Sequence, residues 1–227
     1  MEKYKVLNLY ACLGGNRYKW DEVAKEKGIE LEVTAVELDE EAARLYQERF
    51  PNDIVIVSDA HQYLLDNYYK FDFIWASPPC PTHSRLAMSN KTKESVPNKY
   101  PDMTLYQEII FLQYYYTGKF VVENVIPYYE PLIPAQKRGR HLYWSNFILP
   151  TDLKERKTIG IATAKNEVKK LCEFHDYDFY KYKGKQPINK MARNLVDYEA
   201  GRTIFETALG IYKNKNTNQK SIFDEID

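Results

Sequence analysis

An apolar segment that ends abruptly in a proline-rich turn is the feature that most constrains how this chain can fold. Residues 71–76, FDFIWA, are followed by SPPCP at residues 77–81. The prolines exclude a continuing helix, and aromatic and branched residues between turn formers are typical of a buried strand. Because ligands of open α/β sheets bind at the carboxyl ends of strands, Cys80 is predicted at the mouth of a cleft as a nucleophile. The alternative is a small buried apolar side chain, which is the commoner role of a free cysteine.

Segments with strand and helix character alternate through the first two-thirds of the chain. Strands are predicted at residues 5–10, 31–37, 54–57, 71–76, 120–122 and 141–144. Helices are predicted at residues 16–27, 61–69, 103–116 and 198–209, with one more that starts after Asp39 as N-cap and ends at residue 50. Strands spaced by helices indicate an α/β fold with a mostly parallel sheet and helices on both faces.

Composition and charge restrict the kinds of site. Hydrophobic residues make up 44% of the chain, which predicts a packed core, and Lys+Arg equals Asp+Glu at 32 each. Zero net charge argues against nonspecific coating of nucleic acid, although a local basic face is compatible with it. Cys12, Cys80 and Cys172 are far apart, so we expect reduced thiols and no metal site. We expect a cytoplasmic protein without membrane contact, because a strand starts near the N-terminus and no apolar run has the length of a membrane span.

The ends of the first three predicted strands carry candidate residues for a nucleotide-like ligand. The first strand leads into LYACLGG at residues 9–15, and such glycines allow the backbone to approach a ligand closely, although they also occur in plain turns. An acid at the end of the second strand can hold ribose hydroxyls, and an acid after the third can meet an adenine ring or cap the next helix. The candidates are Tyr10, Ala11, Cys12, Gly14, Gly15, Glu37, Asp59 and Ala60.

Two further motifs follow later in the chain. ENV at residues 123–125 puts Glu123 directly after the fifth predicted strand, on the same rim as Cys80, where desolvation favours a partly protonated carboxyl. QKRGR at residues 136–140 precedes the last predicted strand, with Arg138 and Arg140 at alternate positions and so on one face. A pair of arginines is also commonly just a charged surface.

In this order and spacing, the segments resemble the DNA cytosine-5 methyltransferase family, which uses S-adenosylmethionine. The resemblance rests on LYACLGG, SPPCPTHS, ENV and QKRGR and covers roughly residues 5–145. It implies a Rossmann-like S-adenosylmethionine-dependent methyltransferase fold. Residues 1–148 would form the catalytic, cofactor-binding domain, and residues 149–227 a reduced recognition segment with a closing helix and a polar tail.

The resemblance also implies a mechanism, methylation of cytosine C5 in DNA through a covalent adduct. Cys80 would add to C6, and Glu123 would hydrogen-bond N3 and the exocyclic amine. Arg140, supported by Arg138, would hold the O2 oxygen, and Pro79 would border the cofactor. A water or His83 would remove the C5 proton. Because ring atoms are stacked in a duplex, the target base would flip out.

The chain departs from the family pattern at several positions. Cys12 replaces a glycine and Pro81 replaces the glutamine that usually follows the nucleophile. A Gly-Asn motif, which normally completes the cofactor pocket near the C-terminus, is not recognisable. The recognition domain must fit into about 50 residues, which indicates a minimal enzyme or one that relies on a partner protein. An RNA cytosine methyltransferase and a catalytically idle nucleic-acid-binding module are the alternatives to a DNA enzyme.

Contact with nucleic acid, most simply duplex DNA, is predicted at two segments. Residues 179–185, FYKYKGK, alternate aromatic and basic residues, which on a strand would direct Lys181, Lys183 and Lys185 to one face for phosphates. An edge strand protected by lysines is the alternative. The second segment is the long polar loop 81–102, with Ser84 and Arg85 at its start.

Overall fold

The structure of the chain is a computed structural model that describes residues 3–85, 100–153 and 166–213. Its strands are β1 (Lys3–Leu9), β2 (Glu30–Glu37), β3 (Ile54–Val57), β4 (Phe73–Ala76), β5 (Lys119–Val125), β6 (Gln136–Arg138) and β7 (His141–Ser145). Its α-helices are α1 (Trp20–Lys27), α2 (Glu40–Arg49), α3 (Ala60–Asn67), α4 (Thr104–Tyr115), α5 (Glu167–His175), α6 (Ile188–Arg193) and α7 (Tyr198–Ala208). Within these described ranges, none of the helices is long and apolar enough to cross a membrane.

The strands form one seven-stranded sheet in the order β3-β2-β1-β4-β5-β7-β6. The pairs from β3 to β5 are parallel, whereas β7 runs antiparallel to β5 and β6 antiparallel to β7. The predicted α/β class is therefore confirmed. The strand order reverses between β1 and β4, and such a switch point opens a crevice at the carboxyl ends of the strands.

Both faces of the sheet are covered, as the apolar runs of its central strands predict. Every residue of β4 is buried, and its side chains alternate between two clusters. Phe73 and Trp75 pack with Trp20 and Phe205 on the face of α1 and α7, while Ile74 lies in the cluster of α3 and α4 on the other face. β4 is thereby held rigidly up to the point where the proline turn begins.

The C-terminal helices pack onto the same body as the sheet. α7 lies against α1, and the Trp20 indole donates a hydrogen bond to the Gly201 carbonyl at 3.2 Å. A separate cluster joins Leu13 and Leu45 to Phe179 and Met191. Residues on both sides of the predicted boundary at residue 148 thus contribute to shared hydrophobic clusters.

The structure differs from the sequence predictions at the sheet's far edge. The strand β6 was not predicted, so residues 141–145 form the seventh strand and not the sixth. β5 continues to Val125, and Glu123 therefore lies within a strand and not after it. A strand of only three residues carries too little periodicity to be recognised, and its existence depends on pairing with β7.

The predicted strand at residues 179–185 is wrong. Phe179–Lys181 form a short 3₁₀ helix, in which the Asp178 side chain accepts a hydrogen bond from the Tyr180 amide at 3.0 Å. Phe179 and Tyr182 are both buried, which is the spacing of a helical turn and not of a strand. The lysines and tyrosines of this segment therefore do not separate onto two faces. Most of the predicted loop 81–102, residues 86–99, lies outside the described residues.

Candidate active site

A cavity of about 1410 Å³ opens where the parallel strands end. Its walls include the residues that follow or end β1, β2, β3, β4 and β5, as the position of the switch point predicts. Another wall comes from residues 183–186, 190–191 and 193–196. Predicted site residues that line the cavity are Tyr10, Cys12, Glu37, Asp59, Ala60, Pro79, Cys80, His83, Glu123, Arg140, Lys183 and Lys185.

The turn that carries Cys80 is fixed by hydrogen bonds on both sides of the cysteine. The Cys80 carbonyl accepts from the amides of His83 and Ser84, each at 3.0 Å. On the other side, the Asn124 side-chain amide donates to the Pro78 carbonyl at 3.0 Å from the neighbouring strand β5. Asn124 is buried, so this bond is shielded from water. The ENV segment therefore anchors the proline turn in addition to presenting Glu123.

The charge around the Cys80 thiol is balanced between opposing groups. Burial, followed by the Glu123 carboxylate, raises the pKa of Cys80, while the cations of Lys190 and Arg140 oppose that increase. A thiol with a raised pKa is a poor nucleophile until a base or a change of neighbouring charge ionises it. In the sequence, Lys190 belongs to the basic stretch that continues from residues 179–185 as a candidate for nucleic-acid contact, and the structure adds that its charge acts on Cys80.

Glu123 is buried within β5 and lies near His141, the first residue of β7. Its Oε1 lies 3.6 Å from Nε2 of His141, whose side chain retains 20% exposure against 10% for Glu123. Both residues line the cavity with Cys80. The antiparallel strand β7 therefore adds a titratable side chain that sequence reasoning did not select.

The two predicted arginines have different environments. Gly139 adopts a left-handed φ of 52°, so the chain turns after β6 and Arg140 is not at an alternate strand position. Arg140 lines the cavity, whereas Arg138 does not. The Arg138 guanidinium donates to the carbonyls of Leu149 and Pro150, both at 2.6 Å. The prediction that both arginines lie on one face of a strand is therefore wrong. Arg138 instead holds the segment that follows β7.

The cofactor end is organised by Glu37. Its carboxylate accepts from the amides of Cys12 at 2.7 Å and Asp39 at 2.9 Å, and burial raises its pKa. Because an ionised carboxylate has about four lone-pair sites, each oxygen can accept one more donor, such as a ribose hydroxyl. Cys12 has a φ of 48°, a conformation that glycine adopts without steric cost, which accounts for the glycine usual in the family.

Three predicted cofactor residues do not line the cavity: Ala11, Gly14 and Gly15. A Cβ on Gly14 would come within 3.0 Å of the rings of Tyr46 and Phe50, and one on Gly15 equally close to the Val196 carbonyl oxygen. These glycines therefore permit the loop to pack against the protein. Direct approach to a ligand is not what requires them.

A polar network at the side of the cavity near Asp59 was missed in the sequence. The Asp59 carboxylate caps α3 by accepting from the Gln62 amide at 2.8 Å, and it also lines the cavity. Nearby, Glu108 accepts from the Tyr10 hydroxyl and lies 3.1 Å from Nδ1 of His61. Glu108 is fully buried and desolvation raises its pKa. It is the one charged residue of α4, which is the signal that could have identified it.

The C-terminal wall was also missed. Asn194, Leu195 and Val196 line the cavity, and the tight contact between Gly15 and Val196 brings this segment against the first loop. Residues 149–227 contain no Gly-Asn dipeptide, so this wall could not be recognised from the expected motif.

The predicted nucleic-acid contacts are divided by the structure. Lys183 and Lys185 line the cavity. Lys181 instead forms an exposed ion pair with Glu48 at 2.8 Å. Ser84 makes an isolated bridge to Pro127 and does not line the cavity, and neither does the exposed Arg85.

Comparisons with known proteins place these motifs in a family. The C-5 cytosine-specific DNA methylase family matches residues 4–127, more than half of the 227-residue chain. A search of curated proteins gives no significant match. Similar solved structures include a mutant of Spodoptera frugiperda DNMT2, with 25% identity, TM-score 0.37 and coverage of 54% of this chain and 35% of that one. Another is the Entamoeba histolytica methyltransferase EhMeth, with 16% identity, TM-score 0.37 and coverage of 55% and 39%. The chain spans less than two-thirds of the length of either protein.

Proposed function

Since the chain belongs to the C-5 cytosine-specific DNA methylase family, we propose that it transfers a methyl group from S-adenosylmethionine to C5 of cytosine in DNA. One observation carries this proposal: Cys80, Glu123 and Arg140 line the same cavity as the strand-end acids Glu37 and Asp59. The thiol can add to the cytosine ring, and the carboxyl and the guanidinium can hydrogen-bond its polar edge. The two acids can accept hydrogen bonds from the hydroxyls and the amine of a nucleoside.

The residues at the cofactor end fit S-adenosylmethionine, which supplies an electrophilic methyl group when bound. Glu37 has free lone pairs for the ribose hydroxyls, and its bonds to two backbone amides fix its position. Asp59 and the wall formed by Tyr10 would meet the adenine. Pro79, next to Cys80 in the chain, would separate the two ligands.

In the proposed reaction, Cys80 adds to C6 of a cytosine that has flipped out of the helix. The thiolate forms the S–C6 bond, and the C5–C6 π electrons become available at C5 for the methyl group. Lys190 and Arg140 favour the thiolate against the effect of burial on the pKa of Cys80. After transfer, loss of the C5 proton expels the thiolate and restores the aromatic ring.

Glu123 and Arg140 would hold the base during the addition. Glu123 donates to N3 and accepts from the exocyclic amine, which limits negative charge on the ring. Arg140, on the turn between β6 and β7, is available for O2, whereas the Arg138 guanidinium is bound to three backbone carbonyls. Arg140 is therefore the arginine to which we give this role.

Duplex DNA is the proposed polymer, with Lys183 and Lys185 on the cavity rim for phosphates. A separate protein that supplies sequence recognition is a further part of the proposal.

The experiment that tests this function is covalent trapping. Duplex DNA containing 5-fluorocytosine, incubated with S-adenosylmethionine, should give a stable protein–DNA adduct, since C5 then carries no proton to lose. Cys80→Ala should abolish the adduct, while Cys172→Ala should retain it, because Cys172 does not line the cavity. An adduct that persists in the Cys80 variant would exclude the nucleophile. Single-stranded DNA and transfer RNA assayed alongside decide the polymer, and no transfer to any of them would overturn the function.

A further inference from the structure

The pairing of β5 with β7 brings His141 to the active carboxylate. Val125 pairs with His141 and Glu123 with Tyr143 in the antiparallel register. His141 and Glu123 are therefore diagonal neighbours on one face of the sheet, a position from which long side chains meet. Nε2 of His141 lies 3.6 Å from Oε1 of Glu123. The contact results from the register of two strands, and a strand slipped by one residue would remove it.

The two members of this pair differ in their access to solvent. The Glu123 side chain retains 10% exposure and that of His141 20%, and both line the cavity. A base that occupies the cavity would cover Glu123 further. His141 thus keeps more contact with solvent than the carboxyl beside it.

The proposed reaction needs a proton at this carboxyl. Cytosine N3 is a hydrogen-bond acceptor, so Glu123 must carry a proton to donate to it while its other oxygen accepts from the amine. An ionised Glu123 also opposes formation of the Cys80 thiolate, because its charge raises the pKa of that thiol. A proton placed on Glu123 therefore favours both the contact with N3 and the attack of sulfur.

We propose that His141 stores this proton and passes it to Glu123 when the target cytosine is bound. This inference rests on the proposed function. Protonated His141 loses the proton from Nε2 and becomes neutral, Glu123 becomes a neutral acid, and the acid donates to N3 as the Cys80 thiolate adds to C6. When the thiolate leaves, N3 returns the proton, so the relay is balanced over one turnover. His141 touches no substrate and is a positioning residue that acts through Glu123.

The geometry and charges around the pair agree with this role. A separation of 3.6 Å is longer than a direct hydrogen bond, and catalytic contacts of this kind commonly tighten when substrate binds or are completed by one water. Charged and titratable groups near the pair include Cys80, Arg140 and Lys190, which line the cavity, and Tyr143, whose ring lies edge-on to that of His141 with centroids 6.3 Å apart. Arg140 and Lys190 disfavour a third positive charge, on His141. A base bound against Glu123 removes water from the carboxylate, which raises its proton affinity and favours transfer of the proton from His141.

The test is a pH–rate profile under single-turnover conditions with saturating S-adenosylmethionine and duplex DNA. In the parent protein, ionisation of Cys80 gives the rising limb and loss of the proton shared by His141 and Glu123 the falling limb. His141→Ala should transfer methyl groups about 10- to 100-fold more slowly at neutral pH, because a proton donor is no longer refilled. Its falling limb should move to lower pH, because the histidine that stores the proton is gone.

Added imidazole distinguishes proton relay from a structural role. The partly exposed space left by His141→Ala should admit imidazole, which should restore the rate in proportion to its protonated fraction. His61→Ala is the matched control, since it removes a cavity-lining histidine that is paired with a buried glutamate, Glu108, and should show no imidazole rescue. If His141→Ala fails to fold, His141→Gln keeps a donor without a titrating group and should show the same shifted limb.

A parent protein that methylates DNA, together with His141 variants that keep its pH profile, would overturn the relay alone. A parent that methylates no nucleic acid would overturn the proposed function and the relay with it.

Discussion

Gly14→Ala tests whether the glycines of the first loop serve ligand approach or packing. Gly14 has a φ of 69°, which costs an alanine backbone strain, and its Cβ would lie within 3.0 Å of the rings of Tyr46 and Phe50. Two matched glycines separate these costs. Gly28 has a φ of 77° with open space around a Cβ, and Gly15 has an ordinary φ of −57° but meets the Val196 carbonyl.

The expected magnitudes follow from these geometries. Gly28→Ala carries only left-handed strain, about 1–2 kcal/mol. Gly15→Ala carries only overpacking, about 1–3 kcal/mol. Gly14→Ala carries both, so its free energy of unfolding should fall by about 2–5 kcal/mol. The gain from restricting the unfolded chain is common to all three substitutions and cancels in the comparison.

Urea denaturation of the three purified variants measures these differences, and calorimetric titration measures binding of S-adenosylmethionine. Gly14→Ala should also weaken that binding, because displacement of the loop disturbs the bond from the Cys12 amide to Glu37. Gly28, at the end of α1 and away from the cavity lining, should leave the affinity unchanged. The reasoning is refuted if Gly14→Ala is no less stable than Gly28→Ala. If Gly14→Ala binds S-adenosylmethionine more weakly but keeps the parent's free energy of unfolding, Gly14 instead serves the approach of the ligand.

Three further outcomes are expected. Glu37→Gln should weaken S-adenosylmethionine binding about tenfold by calorimetry, since the amide cannot accept at both backbone N–H groups. Because burial raises the pKa of Glu37, the parent's affinity should fall as pH is lowered while still above the usual carboxyl range, and equal affinity in the variant would contradict this role. Changing Lys183 and Lys185 together to Gln should flatten the slope of log K against log salt on duplex DNA by about 1.8, whereas Lys181→Gln, whose lysine is paired with Glu48, should not. Arg138→Gln should lose about 2 kcal/mol of unfolding free energy with its charge-assisted bonds, and an unaltered thermal melting curve would argue against that structural role.

The part of the fold that sequence predicts well depends on local pattern and topology. The central strands are continuous apolar runs, and Asp39 caps α2 by accepting from two backbone amides. Once a parallel sheet is predicted, the carboxyl ends of its strands must share an edge. The presence of Cys80 and Glu37 in one cavity therefore follows from the strand order, without information about individual side-chain contacts. The confirmed family resemblance rests on these same segments.

Features that depend on one side chain's partner were not predictable. Alternation in FYKYKGK is a strand pattern, but Asp178 offers its carboxylate to the Tyr180 amide and Tyr182 reaches Asp39 at 2.6 Å, which together favour a turn. Arg138 and Arg140 are equivalent in sequence. The difference between them comes from the turn at Gly139 and from the carbonyls after β7.

The C-terminal wall shows why a motif search can miss a residue that the fold brings to the cavity. Asn194 follows Arg193, which ends α6 without a left-handed φ, so the backbone there does not require glycine. The Arg193 guanidinium is paired with Glu167 on α5, which holds the longer side chain without altering the position of the next residue. What constrains this segment is the contact of Val196 with Gly15, which admits no Cβ. The glycine that this packing requires is Gly15 in the first loop, about 180 residues before Val196 in the chain.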